Sequence, residues 1–450
     1  MSDMSQSAAL DRRERVRNGL SRRHRGEAIF RGIGIAAIAI ALALVGTLFW
    51  QVLSKGLPAF TQATLHLDVT FDEDVITAGP APLRSDYASA AQYEAAFLDW
   101  RRALAGINWA ALIEQAVRAE MPELDAEASD IRRLVDNNAG LTLRQMYQDD
   151  PALLNQTLNV ALLGSADTDN WLKGTIDRSL PDARQQLSAV TRAIADRFAA
   201  DGVISMDFAW HIFTNTDSRT APASAGLAGA FVGSLYMMLV VVVLAVPIGV
   251  ASAIYLEEFA PKNRFTDLIE VNINNLAAVP SIVFGLLGAA VFINYFRLPI
   301  SAPIVGGLVL TLMTLPTIII ATRSSLRQVS PSLRQAALGL GASRTQMVFH
   351  HVLPLTLPGI LTATIIGVAQ ALGETAPLLL IGMNAFVANI PGTPLDQSSA
   401  LPVQIYLWQG NENRNFFEAR TSAAILVLLG LMITLNAIAI FLRTRLERNK

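Results

Sequence analysis

Six long apolar runs almost free of charge constrain this chain more than any other feature. A helix rises about 1.5 Å per residue, so about 20 apolar residues are needed to cross a hydrocarbon core of about 30 Å. Residues 32–54 form the first such run, bounded by Arg31 and Lys55. It is too long for a signal-peptide core and lacks a small-x-small cleavage site after it, which predicts a retained anchor. The charge-free stretch 220–256 supplies a second span from about Gly226, and residues 271–296 and 298–322 supply a third and a fourth. A fifth is expected between about Leu355 and Met383, and a sixth at residues 421–442. Only 16% of the residues are charged, against about 25% in soluble domains. The pattern predicts an all-α polytopic membrane protein of six transmembrane helices.

Charge orients these spans. The first 31 residues carry eight arginines, among them Arg12, Arg13, Arg22, Arg23 and Arg25, and the C-terminal stretch 444–450 adds Arg445, Arg448 and Lys450 just after Arg443. The loop between spans four and five is basic as well, with Arg323, Arg327, Arg334 and Arg344. An even number of spans puts both termini and this loop on one side, and positive charge assigns that side to the cytoplasm. The expected organisation is a basic cytoplasmic tail 1–31, without structure of its own, and a first span 32–54. An extracytoplasmic insert 55–222 follows, then a core 226–443 with the cytoplasmic loop 323–354, and a tail 444–450. A specific lipid or partner site in the first tail is the alternative reading.

The insert is acidic, with 24 Asp and Glu against 14 Lys and Arg between Ser54 and Pro222, a net of −10. Residues 65–77 alternate as a short strand would, and helix formers dominate from about Ala88, with apolar residues at helical spacing in 109–121 and 182–198. A mainly helical insert between spans one and two is therefore expected. Trp100, Trp109 and Trp171 read as core residues. With no cysteine in the chain, disulfides and thiolate chemistry are excluded. The five histidines show no metal-binding spacing, so no metal site and no catalytic constellation is expected.

The loop after span four runs Arg334-Gln335-Ala336-Ala337-Leu338-Gly339-Leu340-Gly341 and ends at Leu353-Pro354. It reads as two helices joined at a small-residue elbow able to seat in another protein's groove, or as an ordinary interfacial loop. It resembles the EAA loop of ABC importer permeases, with Ala336, Ala337, Gly341, Leu353 and Pro354 at the family's spacing. Gln335 stands where Glu is usual and His351 where Ile is usual. The resemblance implies that Gln335, Ala336, Ala337, Gly341, Leu353 and Pro354 couple the chain to a separate ABC ATPase. No Gly precedes any of the four lysines, so the chain has no phosphate-cradling GxxxxGK[ST] loop of its own. The chain is thus expected to be a transport subunit rather than an enzyme, binding no cofactor, with ATP and Mg held by the partner ATPase.

Further segments narrow the resemblance. Tyr255-Leu256-Glu257-Glu258, Asn272-Ile273-Asn274-Asn275-Leu276, Val279-Pro280-Ser281 and Leu372-Gly373-Glu374-Thr375-Ala376-Pro377 look like the PstA-type permeases of phosphate importers, over about residues 210–450. That implies inorganic phosphate as cargo, a periplasmic phosphate-binding protein and a paralogous second permease of the PstC type as partners, membrane lipid around the spans, and no nucleic acid. Apart from two histidines, Glu374 is the one ionisable residue between Arg344 and Asp396. A carboxylate inside a span is costly unless it faces a partner or an aqueous path. Glu374, Gln370 and Thr375 are the candidate translocation residues, with a hydrogen bond to backbone or Thr375 as the structural alternative for Glu374. Gln370 replaces the Arg that the family pattern carries four residues before its Glu. Another oxyanion or small solute, a membrane sensor built on the insert, and a secondary transporter are the competing functions.

Overall fold

The structure, a computed structural model, describes residues 2–123 and 125–448, with side chains from residue 24 to 445 except 442. The side chains of Arg12, Arg13, Arg22, Arg23 and Arg448, and all of Lys450, used above for orientation, lie outside what is described. The chain divides into two compact units, Met1–Lys55 and Gly56–Lys450. The first is one continuous helix, α1 (Ser2–Gly56). Residues 2–31 are therefore helical and extend the first span, where an unstructured tail was expected.

The second unit opens with a turn, Leu57–Phe60, and a three-stranded antiparallel sheet in the order β2-β1-β3: β1 (Thr61–Thr70), β2 (Thr157–Leu163) and β3 (Ile204–Phe208). The strand expected at 65–77 begins earlier and stops at Thr70, because Asp72 turns the chain by accepting the amide of Asp74. Seven short helices surround the sheet: α2 (Ala90–Ala105), α3 (Ala110–Glu120), α4 (Ala128–Arg132), α5 (Ala139–Asp149), α6 (Ala166–Leu172), α7 (Ala189–Ala200) and α8 (His211–Thr214). Ser89, Ser165 and Ser188 cap α2, α6 and α7 through their hydroxyls. Ala63, Leu65, Leu67 and Val69 alternate along β1 into a core completed by Trp100, Leu112, Ile131, Tyr147 and Phe198. Trp100, Trp109 and Trp171 are buried, as their role as core residues requires.

The apolar part comprises α9 (Ala228–Ile254), α10 (Arg264–Ala277), α11 (Ser281–Gly288), α12 (Pro303–Arg327), α13 (Pro331–Gly339), α14 (Arg344–Gln346), α15 (Leu353–Gly373), α16 (Ala376–Leu380), α17 (Leu401–Gln409) and α18 (Arg414–Arg448). Five helices among the described residues are long and apolar enough to cross a membrane, and a sixth crossing arises if the bent α10–α11 pair counts as one. The single helix expected at 271–296 is therefore two, meeting at 101°. Pro280 is the cause, because its ring biases Val279 away from helical geometry and removes an amide donor. Helix α11 continues in a π-helical turn to Tyr295.

Close helix crossings rest on glycine, as in membrane bundles without a hydrophobic drive between helices. At the α9–α12 crossing, a Cβ on Gly307 would lie 2.5 Å from Val240 Cβ, and one on Gly306 2.5 Å from Met237 Sδ. Met237, Val241, Val305, Val309, Leu378 and Phe417 form the core of this bundle.

Candidate functional site

The loop between α12 and α15 is organised by ion pairs that its sequence alone did not reveal. Arg334 places Nη2 2.7 Å from Glu258 Oε1 and donates to the carbonyls of Leu326 (2.8 Å) and Val329 (2.6 Å). Arg323 bonds Glu257 at 3.2 Å and also pairs with Glu270, and Arg327 bonds Glu257 at 3.0 Å. Three of the four loop arginines used to orient the chain thus meet carboxylates from the segment 257–270. Glu257 and Glu258 sit in a π-helical turn at the end of α9 (Tyr255–Phe259), a local widening that turns both toward the loop.

These pairs hold an elbow. Helix α13 ends at Gly339, and Gly341 takes φ +89°, a left-handed conformation that L side chains avoid. The chain then re-enters helix at Ser343, whose side chain and Gln346 form a reciprocal capping box. The helix continues through a π-helical segment, Met347–Val352, into α15.

The coupling candidates separate into two groups. Ala337 is buried against Ile254, Leu326, Val348 and Val352, and Leu353 and Pro354 are half-buried, so these three brace the elbow. Gln335, Ala336 and Gly341 are exposed. With them stands Leu340, 90% exposed, flanked by two glycines around which a side chain would find open space. Phe349 is also half out of the protein. Leu340 was missed as a contact residue, although a leucine between two glycines at a helix break was visible as a signal. Beside the elbow, Ser325, Gln328, Leu333, Ala336, Leu355 and Gly359 line part of a cleft of about 790 Å³.

Glu374 lies elsewhere than inside a helix. Helix α15 stops at Gly373, and Glu374 takes extended backbone (φ −77°, ψ 131°) before Thr375 opens the short α16. The expected span to Met383 is therefore broken at the candidate residue itself, with Pro377 in the first turn of α16 stopping the helix from continuing. Glu374 and Thr375 are half-buried, and Gln370, one turn back, is exposed. The Glu374 side chain has no hydrogen bond or ion pair among the described residues, including with Thr375.

A second polar centre escaped the sequence reading. The sixth span was expected to begin at Thr421, but α18 begins at Arg414, and Arg420 falls inside the helix at 2% exposure. Its guanidinium donates to the carbonyls of Ala223 (3.0 Å) and Ala225 (3.3 Å), to Gln62 Oε1 and to His211 Nε2 (2.9 Å). As acceptor, Nε2 carries no proton. Burial, together with Arg420, lowers the His211 pKa to about 3. Nearby, Lys173 bonds Asp169 at 2.7 Å, and Asp169 accepts the amide of Ala63 at 2.9 Å. This network ties β1, α6 and α8 to α18, and Arg420 was overlooked because it lies one residue before the apolar run.

Comparison with known proteins accords with this geometry. Residues 245–450 match the family described as binding-protein-dependent transport system inner membrane component, and residues 17–182 match a domain of unknown function. A probable ABC transporter permease, YqgI of Bacillus subtilis, is 28% identical over 56% of this chain and 88% of its own. The phosphate transport system permease protein PstA 1 of Mycobacterium tuberculosis is 32% identical over 50% of this chain and 73% of its own. PstA of Xylella fastidiosa is 30% identical over 49% and 76%. With relatives of that identity matched over more than two thirds of their length, and with the elbow and broken spans in place, the chain belongs to the family of ABC importer permeases, the inner-membrane components of binding-protein-dependent transport systems.

Proposed function

We propose that this permease translocates inorganic phosphate, delivered by a periplasmic binding protein and driven by ATP and Mg bound on a separate ABC ATPase. The observation that carries the cargo is the 32% identity to a phosphate permease over 73% of that protein. In this reading both termini and the loop 323–354 face the cytoplasm, and the insert faces the periplasm. The exposed Gln335, Ala336, Leu340 and Gly341 meet the ATPase, while the Arg334–Glu258 pair transmits its movement to α9. Glu374 and Thr375, at a break in α15–α16, face the pathway, since freed backbone and an unpaired carboxylate are tolerated at membrane depth only beside a cavity. With Gln370 where the family pattern has Arg, the cationic half of the path comes from a second, paralogous permease of the PstC type.

Uptake of radiolabelled phosphate into proteoliposomes containing both permeases and the ATPase, supplied with binding protein, tests this directly. Phosphate should accumulate only with ATP, and Glu374→Gln should abolish uptake while the complex still assembles. Uptake of another oxyanion in preference to phosphate would overturn the cargo. Full transport without the second permease would overturn the shared pathway.

A further inference from the structure

The insert carries an exposed aromatic ledge that the transport reading leaves without a role. In the antiparallel register Thr61 faces Phe208, Ala63 faces Met206 and Leu65 faces Ile204, so Ile204, Met206 and Phe208 share the sheet face that builds the insert core. Ile204 is buried in that core, but further along the same face Met206 is 43% and Phe208 48% exposed. Phe208 stacks on Phe60 (6.4 Å) and Phe213 (6.4 Å) and meets Trp210 edge-on at 4.7 Å. Trp210 is 69% exposed and Phe213 43%. The opposite face of the sheet is polar, with His66 Nε2 3.0 Å from Ser205 Oγ and 3.1 Å from Asp207. One edge of the insert is therefore apolar on one side and polar on the other.

Its depth is fixed by the spans. Gly56, at the start of the Leu57–Phe60 turn, lies so close to α18 that a Cβ there would be 2.8 Å from Leu426 Cδ1 and 2.9 Å from the Ser422 backbone. Those residues belong to the first turns of the apolar run of span six. Phe60 also packs against the core of the helix bundle. Ala209 donates to the Phe60 carbonyl at 2.8 Å, and the Leu227 amide, immediately before α9, donates to the Ile212 carbonyl at 2.7 Å. The ledge thus stands level with the first turns of two membrane spans. Aromatic rings favour the zone between headgroups and acyl chains, Trp above all. A contiguous apolar patch at that depth has lipid, rather than water, as its natural cover.

We propose that the insert is seated on the lipid surface through Met206, Phe208, Trp210 and Phe213, with the rings at the boundary between headgroups and acyl chains. The insert then does not swing freely above the spans. It is held at two places, to α18 through Arg420 and to the bilayer through this ledge.

The absence of cysteine makes the test direct. Single variants Met206→Cys, Trp210→Cys and Phe213→Cys, with Arg102→Cys as a solvent-exposed control, are spin-labelled in the full chain reconstituted in nanodiscs of phosphatidylethanolamine and phosphatidylglycerol. Power saturation then compares collisions with oxygen, which concentrates in lipid, and with a water-soluble nickel chelate. Oxygen collisions should dominate at 206, 210 and 213, and nickel collisions at 102. Nickel access at the ledge equal to that at 102 would overturn the proposal. Exclusion of both reagents would overturn it too, since it means that protein covers the rings. The unlabelled chain carrying Trp50→Phe, which removes the exposed tryptophan of the first span, gives a second reading that does not depend on tolerance of cysteine: headgroup-proximal brominated lipid should quench part of the tryptophan emission, and adding Trp210→Phe should remove that part. Equal quenching in both proteins would refute the seat.

Discussion

Replacing Arg420 with methionine tests the junction between the insert and the sixth span. Methionine fills a similar volume without charge, so the change isolates the hydrogen bonds. Four acceptors, the carbonyls of Ala223 and Ala225, Gln62 Oε1 and His211 Nε2, lose their donor in a place where water has little access. Each bond to a charged group contributes about 1.5–3 kcal/mol, a gross loss of about 6–12 kcal/mol. Against this, the guanidinium no longer has to be desolvated, which returns several kcal/mol. The ring of Phe416, with the guanidinium 5.0 Å from its centroid, loses a cation–π contact of about 1 kcal/mol. The net destabilisation is on the order of 3 kcal/mol, or a fall of about 4 °C in Tm for a unit the size of Gly56–Lys450. Tryptophan fluorescence during thermal unfolding in nanodiscs reads this, with Trp408 and Trp171 lying on the two sides of the junction. Arg420→Lys should fall between the two proteins, because an ammonium cannot reproduce the fork that spans both carbonyls. A methionine variant melting within a degree of wild type, or a lysine variant identical to wild type, would refute the reasoning.

Other consequences are equally specific. Arg334→Ala strands Glu258, whose side chain is 6% exposed, and should destabilise the loop by about 3 kcal/mol, seen as faster proteolysis between residues 323 and 354. Gly307→Val forces α9 and α12 apart, so folded yield in membranes should collapse, whereas Gly430→Val, with no atom within 4 Å, should express normally. Leu340→Ser should leave the melting temperature unchanged yet reduce co-purification of the ATPase, since the side chain is 90% exposed. His211 has a pKa lowered to about 3 in the fold, from 6.5. The unfolded chain therefore binds the extra proton between those values, and stability falls as pH drops below 6.5. By pH 5 the loss is on the order of 2 kcal/mol; Tm measured against pH should show this slope, and His211→Asn should flatten it.

The apolar runs and the basic flanks were enough to predict a helical membrane protein of up to six crossings, because the bilayer imposes length and low charge on each segment independently of its neighbours. The elbow was legible too, since Ala336, Ala337, Gly341, Leu353 and Pro354 keep a fixed spacing and Gly341 needs a backbone that glycine supplies. Tertiary structure decided what periodicity does not carry. Pro280 and Pro377 lie within runs expected to be single spans, and only the packed chain shows a 101° bend at one and Glu374 placed in a break beside the other. The loop arginines read as free positive charge until Glu257, Glu258 and Glu270 met them across at least 53 residues of sequence. Arg420 is the clearest case. Its partners Gln62, His211, Ala223 and Ala225 lie 195 to 358 residues away. A local pattern records which face of a helix is apolar, but not which distant groups will close around the charge at its end.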